Sequence, residues 1–178
     1  MDFQSQDPLP GSALSKVGLG EVYHASLAQR RLWFLELLQG PTAAYNVDVG
    51  LWLYGPLDLA ALHRSLQEMV NRHETLRTFF RLHEGELIQV VAHNLTIPLP
   101  VADFSSLEDP YPSAYEYAKK EVGTPFDLGT GPLFRASVIH IKDQENVVLC
   151  TMHHAITDAW SMPVSYTHLR AHETGRHL

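Results

Sequence analysis

An apolar run leads directly into two histidines and an aspartate at residues 147–160, VVLCTMHHAITDAW. Adjacent residues on an extended backbone point to opposite faces, so one imidazole of the pair His153 and His154 can line a cavity while the other packs. Asp158 follows His154 by four residues and is close enough in sequence to brace this loop. The spacing suits one catalytic histidine with structural neighbours, and a hydrogen-bonded loop without catalytic function is the alternative interpretation.

Length and composition limit the classes of function. The 178 residues, of which 45% are hydrophobic, are enough for one domain with its own core. A net charge of -7 argues against a nucleic-acid partner, because phosphate contacts need a basic surface. No apolar run approaches the length of a membrane-spanning helix, and the N-terminus does not resemble a signal peptide. The single cysteine, Cys150, is expected to fill the core. We therefore expect a cytoplasmic protein without a membrane partner.

Helical and extended patterns alternate along the middle of the chain. They predict helices over residues 27–38, 59–70 (capped by Asp58) and 112–122, and strands over residues 47–54, 76–82, 87–92, 133–142 and 147–152. Residues 1–23 are rich in Pro, Gly and Ser and lack periodicity, which predicts a linker before a domain at residues 24–164. Because helices are mixed with antiparallel hairpins, the predicted fold class is an α+β sandwich.

The last residues of the chain, 165–178, differ from the rest. They are polar and rich in histidine and show no apolar face. We interpret them as a non-native tail joined to a truncated domain, and a genuine solvated tail is the alternative. His168 and His172 are four residues apart and could in principle share a metal ion, but we predict no metal site.

Four stretches with recognisable motifs follow one another along the predicted domain. They are residues 26–35 (SLAQRRLWFL), 72–80 (RHETLRTFF), 125–128 with 131–135 (PFDL and GPLFR), and 153–159 (HHAITDA). In this order they resemble the motifs of the condensation domains of nonribosomal peptide synthetases, and the last resembles the HHxxxDG active-site motif. Ala159 stands where the family usually has Gly. Alanine is small enough to keep the same backbone path unless φ there is positive.

The resemblance implies a fold and a reaction. The fold is the chloramphenicol acetyltransferase-like sandwich, in which two lobes form a V around a tunnel, and only the first lobe is present here. The reaction joins an acyl or peptidyl donor to an aminoacyl acceptor through an amide bond, with both groups held as thioesters. The 4′-phosphopantetheine that carries them is supplied by upstream and downstream carrier domains and is not bound covalently by this chain. The adenylation domain and the missing second lobe are the other implied partners, so we expect the fragment alone to be inactive.

The resemblance also implies roles for individual residues. His154 matches the catalytic histidine of the family, as a general base or as a hydrogen-bonding positioner, and His153 is expected to fix the loop. Asp158 matches a structural aspartate whose expected partner is Arg77 or Arg72, since a buried carboxylate without a cation would be costly. Solvated charges at a helix end are the alternative interpretation of the two arginines.

Other functions remain compatible with the same motifs. An epimerisation domain, a coenzyme A-dependent acyltransferase of the same superfamily and a non-catalytic carrier-docking lobe are the alternatives. The first motif favours condensation over epimerisation. A metal hydrolase using His153, His154 and Asp158 is disfavoured, because two adjacent histidines rarely reach one ion.

Overall fold

A computed structural model describes residues 19–157. The elements follow in the order β1 (Leu19–His24), α1 (Leu27–Gln39), β2 (Asn46–Tyr54), α2 (Leu59–Arg72), β3 (Thr78–His83), β4 (Glu86–Ala92), β5 (Val101–Asp103), α3 (Tyr111–Gly123), β6 (Phe134–Lys142) and β7 (Glu145–His153). Short 3₁₀ turns lie at Ala43–Tyr45, Glu74–Arg77 and His154–Ile156. We call the last of these the histidine turn.

The described strands form two sheets. The smaller has the order β1-β4-β3 and is antiparallel throughout. The larger has the order β2-β7-β6-β5, in which β5 runs parallel to β6 and the other pairs are antiparallel. Strand β7 is central, with Asn46 of β2 paired to His153 and Phe134 of β6 paired to Met152. The two histidines therefore lie at the end of a strand that is paired along both edges.

The main core lies between one face of the larger sheet, helix α2 and the smaller sheet. Leu66, Met69 and Val70 form the buried stripe of α2 at helical spacing. They belong to the same buried cluster as Phe80 of β3 and Val148 of β7. Helix α3 packs through Ala114 in a separate cluster with Ile139 and Ile141 of β6.

The predicted α+β class and the three helices are confirmed. Helix α2 begins as expected, with the Asp58 carboxylate accepting the backbone N–H of Ala61 at 2.9 Å. The third predicted helix extends over Tyr111–Gly123. Of the helices between residues 19 and 157, none is long and apolar enough to cross a bilayer.

Several predicted boundaries were wrong. Strand β7 begins at Glu145 and not at Val147. The strand expected from Leu76 begins at Thr78, because the preceding residues close a 3₁₀ turn in which the Thr78 hydroxyl donates to the Glu74 carbonyl at 2.8 Å. Residues 19–23, assigned to the linker, belong to β1, whose backbone pairs with the edge of β4. The rest of that linker, residues 1–18, and the predicted tail lie outside the described residues.

Candidate active site

The histidine turn places its two imidazoles in different surroundings. His153, the last residue of β7, is only 2% exposed, whereas His154 is exposed at the start of the turn. The expected difference between the two side chains is confirmed. It arises because β7 ends at His153 and the chain turns immediately afterwards.

His153 is a neutral, structural histidine in this fold. Its Nδ1 accepts the backbone N–H of Ala155 at 3.1 Å, so the proton of the neutral ring is on Nε2. The rings of Tyr45 and Phe126 meet the imidazole edge-on, with centroid distances of 6.1 and 6.4 Å. Burial, with a smaller contribution from neighbouring His154, lowers the pKa of His153 to about 4. His153 is therefore a weak base that holds the turn.

His154 has the geometry of a proton acceptor. Its Nδ1 lies 2.8 Å from the backbone carbonyl oxygen of Thr157. A carbonyl can only accept, so Nδ1 carries the proton, and in the neutral ring Nε2 keeps a free lone pair. Proteins often use such a hydrogen bond from Nδ1–H to a backbone carbonyl to select the tautomer of a histidine. The other ring nitrogen is then available as a general base or as a hydrogen-bond acceptor.

A cavity of about 340 Å³ lies beside His154. Three of the motif stretches meet in its wall: Ser26, Ala28, Gln29 and Leu32 come from the stretch 26–35, Thr75 and Thr78 from the stretch 72–80, and His154, Ala155, Ile156 and Thr157 from the stretch 153–159. Segments far apart in the chain are thus brought together around the one exposed imidazole of the pair. The cavity leaves open space next to the exposed imidazole of His154.

The remaining motif stretch, residues 125–128 with 131–135, supports this site from the core. Phe126 is buried and contacts the His153 ring, and the Leu128 carbonyl accepts the backbone N–H of Phe80 at 2.8 Å. The Leu133 carbonyl accepts the backbone N–H of His153 at 3.0 Å. These contacts fix the end of β7 and thereby the start of the histidine turn.

The two arginines of the second motif are bound elsewhere by their described contacts. Arg72 pairs with Glu68 at 2.7 Å on the surface, where both side chains are more than half exposed. Arg77 donates from Nε to the Val70 carbonyl at 3.1 Å and from Nη1 to the Ala92 carbonyl, and so ties the end of α2 to the end of β4. Asp158 and Ala159 lie outside the described residues, so the expected ion pair of Asp158 stays a prediction.

The only cysteine does not belong to the site chemistry. Cys150 is buried in the main core, and burial raises the pKa of its thiol to about 12. It is therefore a protonated packing residue, as expected, and not a nucleophile. Among the residues that the structure describes, no three His, Cys, Asp or Glu side chains are grouped so that they could hold a metal ion.

Sequence reasoning missed one polar residue of the site, Gln29. Its side chain lines the cavity, and its Nε2 donates to the carbonyl of Ala155 in the histidine turn at 3.1 Å. The residue lay within a recognised motif stretch, but 126 positions separate it from its partner. The order of motifs indicated that both segments matter, and it did not indicate this contact.

Comparison with curated proteins finds synthetases of peptide natural products. A linear gramicidin synthase of Brevibacillus parabrevis is 40% identical over 148 residues, which are 82% of this chain and 3% of that protein. Malpibaldin synthetase of Mortierella alpina is 35% identical over 167 residues, which are 93% of this chain and 3% of that protein. The chain thus spans a very small part of the curated relatives that it matches.

Solved structures with a similar fold include condensation domains. The first condensation domain of the CDA synthetase has a TM-score of 0.76 at 25% identity, over 88% of this chain and 42% of that chain. The starter condensation domain of rhizomide synthetase RzmA has a TM-score of 0.78 at 21% identity, over 84% of this chain and 36% of that chain, a likeness that shows the fold alone. The family model described as Condensation domain matches residues 20–171, which include seven residues of the predicted tail. Because this match takes in most of the sequence, the chain belongs to the condensation domain family.

Proposed function

We propose that the chain is the N-terminal lobe of a two-lobed, chloramphenicol acetyltransferase-like condensation domain of a nonribosomal peptide synthetase. The lobe covers 42% of the first condensation domain of the CDA synthetase while 88% of its own residues are matched, which supports a partial domain. In the complete domain, the reaction joins a carrier-bound acyl or peptidyl donor to a carrier-bound aminoacyl acceptor through an amide bond.

The observation that carries this proposal is the tautomer of His154 and its position beside the cavity. Its Nδ1 proton is committed to the Thr157 carbonyl, which leaves Nε2 as an acceptor beside a cavity walled by three motif stretches. A free α-amine has a pKa of about 8, so a useful fraction is already neutral near pH 7. The chemistry therefore needs alignment and a hydrogen-bond or proton acceptor, and it needs no covalent acyl-enzyme.

The proposed reaction needs no reactant besides the amine and the thioester. The amine nitrogen bonds to the thioester carbonyl carbon, and the nitrogen becomes acidic as the tetrahedral intermediate forms. Nε2 of His154 accepts a hydrogen bond from this nitrogen and, where His154 acts as the general base, its proton. When the intermediate collapses the C–S bond breaks, and the proton ends on the thiol of the released 4′-phosphopantetheine.

The cofactor and the partners come from outside this lobe. Upstream and downstream carrier domains supply the 4′-phosphopantetheine thioesters, an adenylation domain activates the amino acid, and the second lobe forms the other wall of the tunnel. We propose that Asp158 braces the segment after the histidine turn and that Ala159 keeps the backbone path of the usual glycine. A cytoplasmic location stays a prediction from the sequence.

The complete domain that contains this lobe provides the test. It is incubated with a donor carrier and an acceptor carrier that are already loaded, and the dipeptidyl thioester is measured by mass spectrometry. We expect product with the complete domain and none with residues 1–178 alone, because one lobe cannot align two substrates. Product from neither protein would overturn the proposal, and equal turnover by both would show that the second lobe is dispensable.

A further inference from the structure

Gln29 connects the start of α1 to the histidine turn. Its Oε1 accepts the backbone N–H of Ser26 at 2.8 Å. Its Nε2 donates both to the Ala155 carbonyl and to Oε1 of Gln89, each at 3.1 Å. Gln89 donates in turn to the His24 carbonyl of β1 at 3.1 Å. One partly buried amide thus joins α1, the smaller sheet and the segment that bears His154.

The contact with Ala155 completes a clamp on one residue. The N–H of Ala155 is bound by His153 Nδ1, and its carbonyl is bound by Gln29. Ala155 follows His154 directly and precedes Thr157, whose carbonyl holds His154 Nδ1. The Gln29 amide therefore fixes the backbone between the imidazole and the carbonyl that selects its tautomer.

We infer that Gln29 is a positioning residue for His154: its amide holds the histidine turn in the conformation in which the Nδ1–H tautomer is favoured and Nε2 remains free. The inference rests on the proposed function only for the catalytic meaning of that tautomer. Gln29 itself transfers no proton and acts through the backbone of Ala155.

A simpler explanation of Gln29 is that it only caps α1. Ser26 and Gln29 form a reciprocal capping box, since the Ser26 hydroxyl also accepts the backbone N–H of Gln29 at 3.2 Å. Two variants separate the roles. Gln29→Glu keeps an oxygen for the Ser26 N–H, because Glu serves equally well at this position of a capping box, but has no N–H for the Ala155 carbonyl. Ser26→Ala weakens the box and leaves the Gln29 amide intact.

The test reads the tautomer of His154 in the 178-residue chain and needs no partner domain. The ¹⁵N shifts of the imidazole distinguish Nδ1–H from Nε2–H, and the signals of His154 are assigned by their loss in His154→Ala. We expect Gln29→Glu to lower the ratio of Nδ1–H to Nε2–H about three-fold, the size expected when one hydrogen bond that stabilises the turn is lost. Gln29→Asn, which keeps an amide too short to reach Ala155, is expected to match it and stands in if the Glu variant does not fold.

Ser26→Ala is the matched control. It should leave the tautomer ratio unchanged while lowering the stability of α1. An unchanged ratio in the Gln29 variants, or an equal shift in Ser26→Ala, would overturn the inference and assign Gln29 to capping alone. Because the signal does not depend on amide formation, failure of this inference is distinguishable from failure of the proposed reaction.

Discussion

Helices α1 and α2 are buried against the rest of the fold to very different degrees. Helix α2 inserts Leu66 and Val70, both 0% exposed, into the main core. Helix α1 has no buried residue, and Phe34 and Leu38 on it are 59% and 67% exposed. Leu32 and Trp33 of α1 pack against the main core but are only partly buried. The start of the helix is also held by polar contacts, which are the capping box and the hydrogen bond of Gln29 to the histidine turn. The core side of the described fold, which includes α2, therefore supplies most of the stability, while the α1 side lines the candidate site.

The largest effect that separates the two sides is expected for His154→Ala in the complete domain. Loss of a positioned proton acceptor lowers rates by about 10²–10⁴-fold. The melting temperature should stay the same, because His154 is exposed and its described hydrogen bond is a single one to Thr157. Product formation and thermal unfolding are measured together, with exposed His83→Ala as a control that should change neither. Wild-type turnover in His154→Ala would show that the reaction does not depend on His154 or on the cavity beside it.

On the core side, Leu66→Ala should have the reverse effect, because it should lower the free energy of unfolding. Truncation of a fully buried leucine leaves a cavity and costs about 2–5 kcal/mol of unfolding free energy. The same change at exposed Leu38 should stay within about 0.5 kcal/mol. Urea unfolding of both variants measures the difference. Equal losses would show that α1 is as deeply supported as α2 and would break the comparison.

The buried histidine predicts how acid destabilises the site. In the folded state the pKa of His153 is lowered to about 4 by burial and by His154, while the unfolded value is near 6.5. The unfolded chain therefore binds the proton first as the pH falls. The free energy of unfolding decreases between about pH 6.5 and pH 4, by at most about 1.4 kcal/mol for each pH unit. Unfolding midpoints across this range should fall less steeply in His153→Asn, whose amide oxygen can still accept the Ala155 N–H. Parallel curves for the two proteins would mean that His153 binds its proton equally well in the folded and the unfolded chain.

Arg77 should matter more than Arg72, although both lie in the same motif. Arg77→Lys keeps the charge but cannot serve carbonyls of α2 and β4 at once, so we expect a loss of about 1–3 kcal/mol. Arg72→Lys retains a surface pair with Glu68 and should cost about 0.5 kcal/mol or less. Chemical unfolding gives both values. A larger loss at Arg72 than at Arg77 would contradict this order.

How far the sequence predicted the fold depends on which side chains are buried. Helix α2 was predictable because its buried stripe repeats at helical spacing and Asp58 caps it. Strand β1 was not, because it is held by backbone pairing to β4 while Val22 and Tyr23 stay 55% and 46% exposed. A strand whose side chains remain outside leaves no alternation to detect.

The candidate site, like the fold, was predictable only in part. The motif order identified the pair His153 and His154, and a strand end implied different faces for them. The tautomer of His154 depends on a backbone carbonyl, and the tie of Gln29 to Ala155 joins distant segments. Backbone acceptors carry no residue signature, so both contacts had to be found in three dimensions.

The smallest effect on stability, and the most specific one on association, is expected on the outer face of α1. Leu27, Phe34 and Leu38 are spaced by seven and four residues, which places them in one exposed stripe along the helix. A contiguous exposed apolar stripe promotes association in water. In the complete domain we expect other parts of the protein to cover it, so the isolated 178-residue chain should self-associate.

The double variant Phe34→Ser and Leu38→Ser should reduce this association in sedimentation equilibrium while the unfolding midpoint changes little. Leu82→Ser, at a 60% exposed site on β3, is the matched control and should leave association unchanged. If that control lowers association as much as the double variant does, general surface hydrophobicity and not the α1 stripe is responsible, and the contrast between α1 and α2 would hold for stability alone.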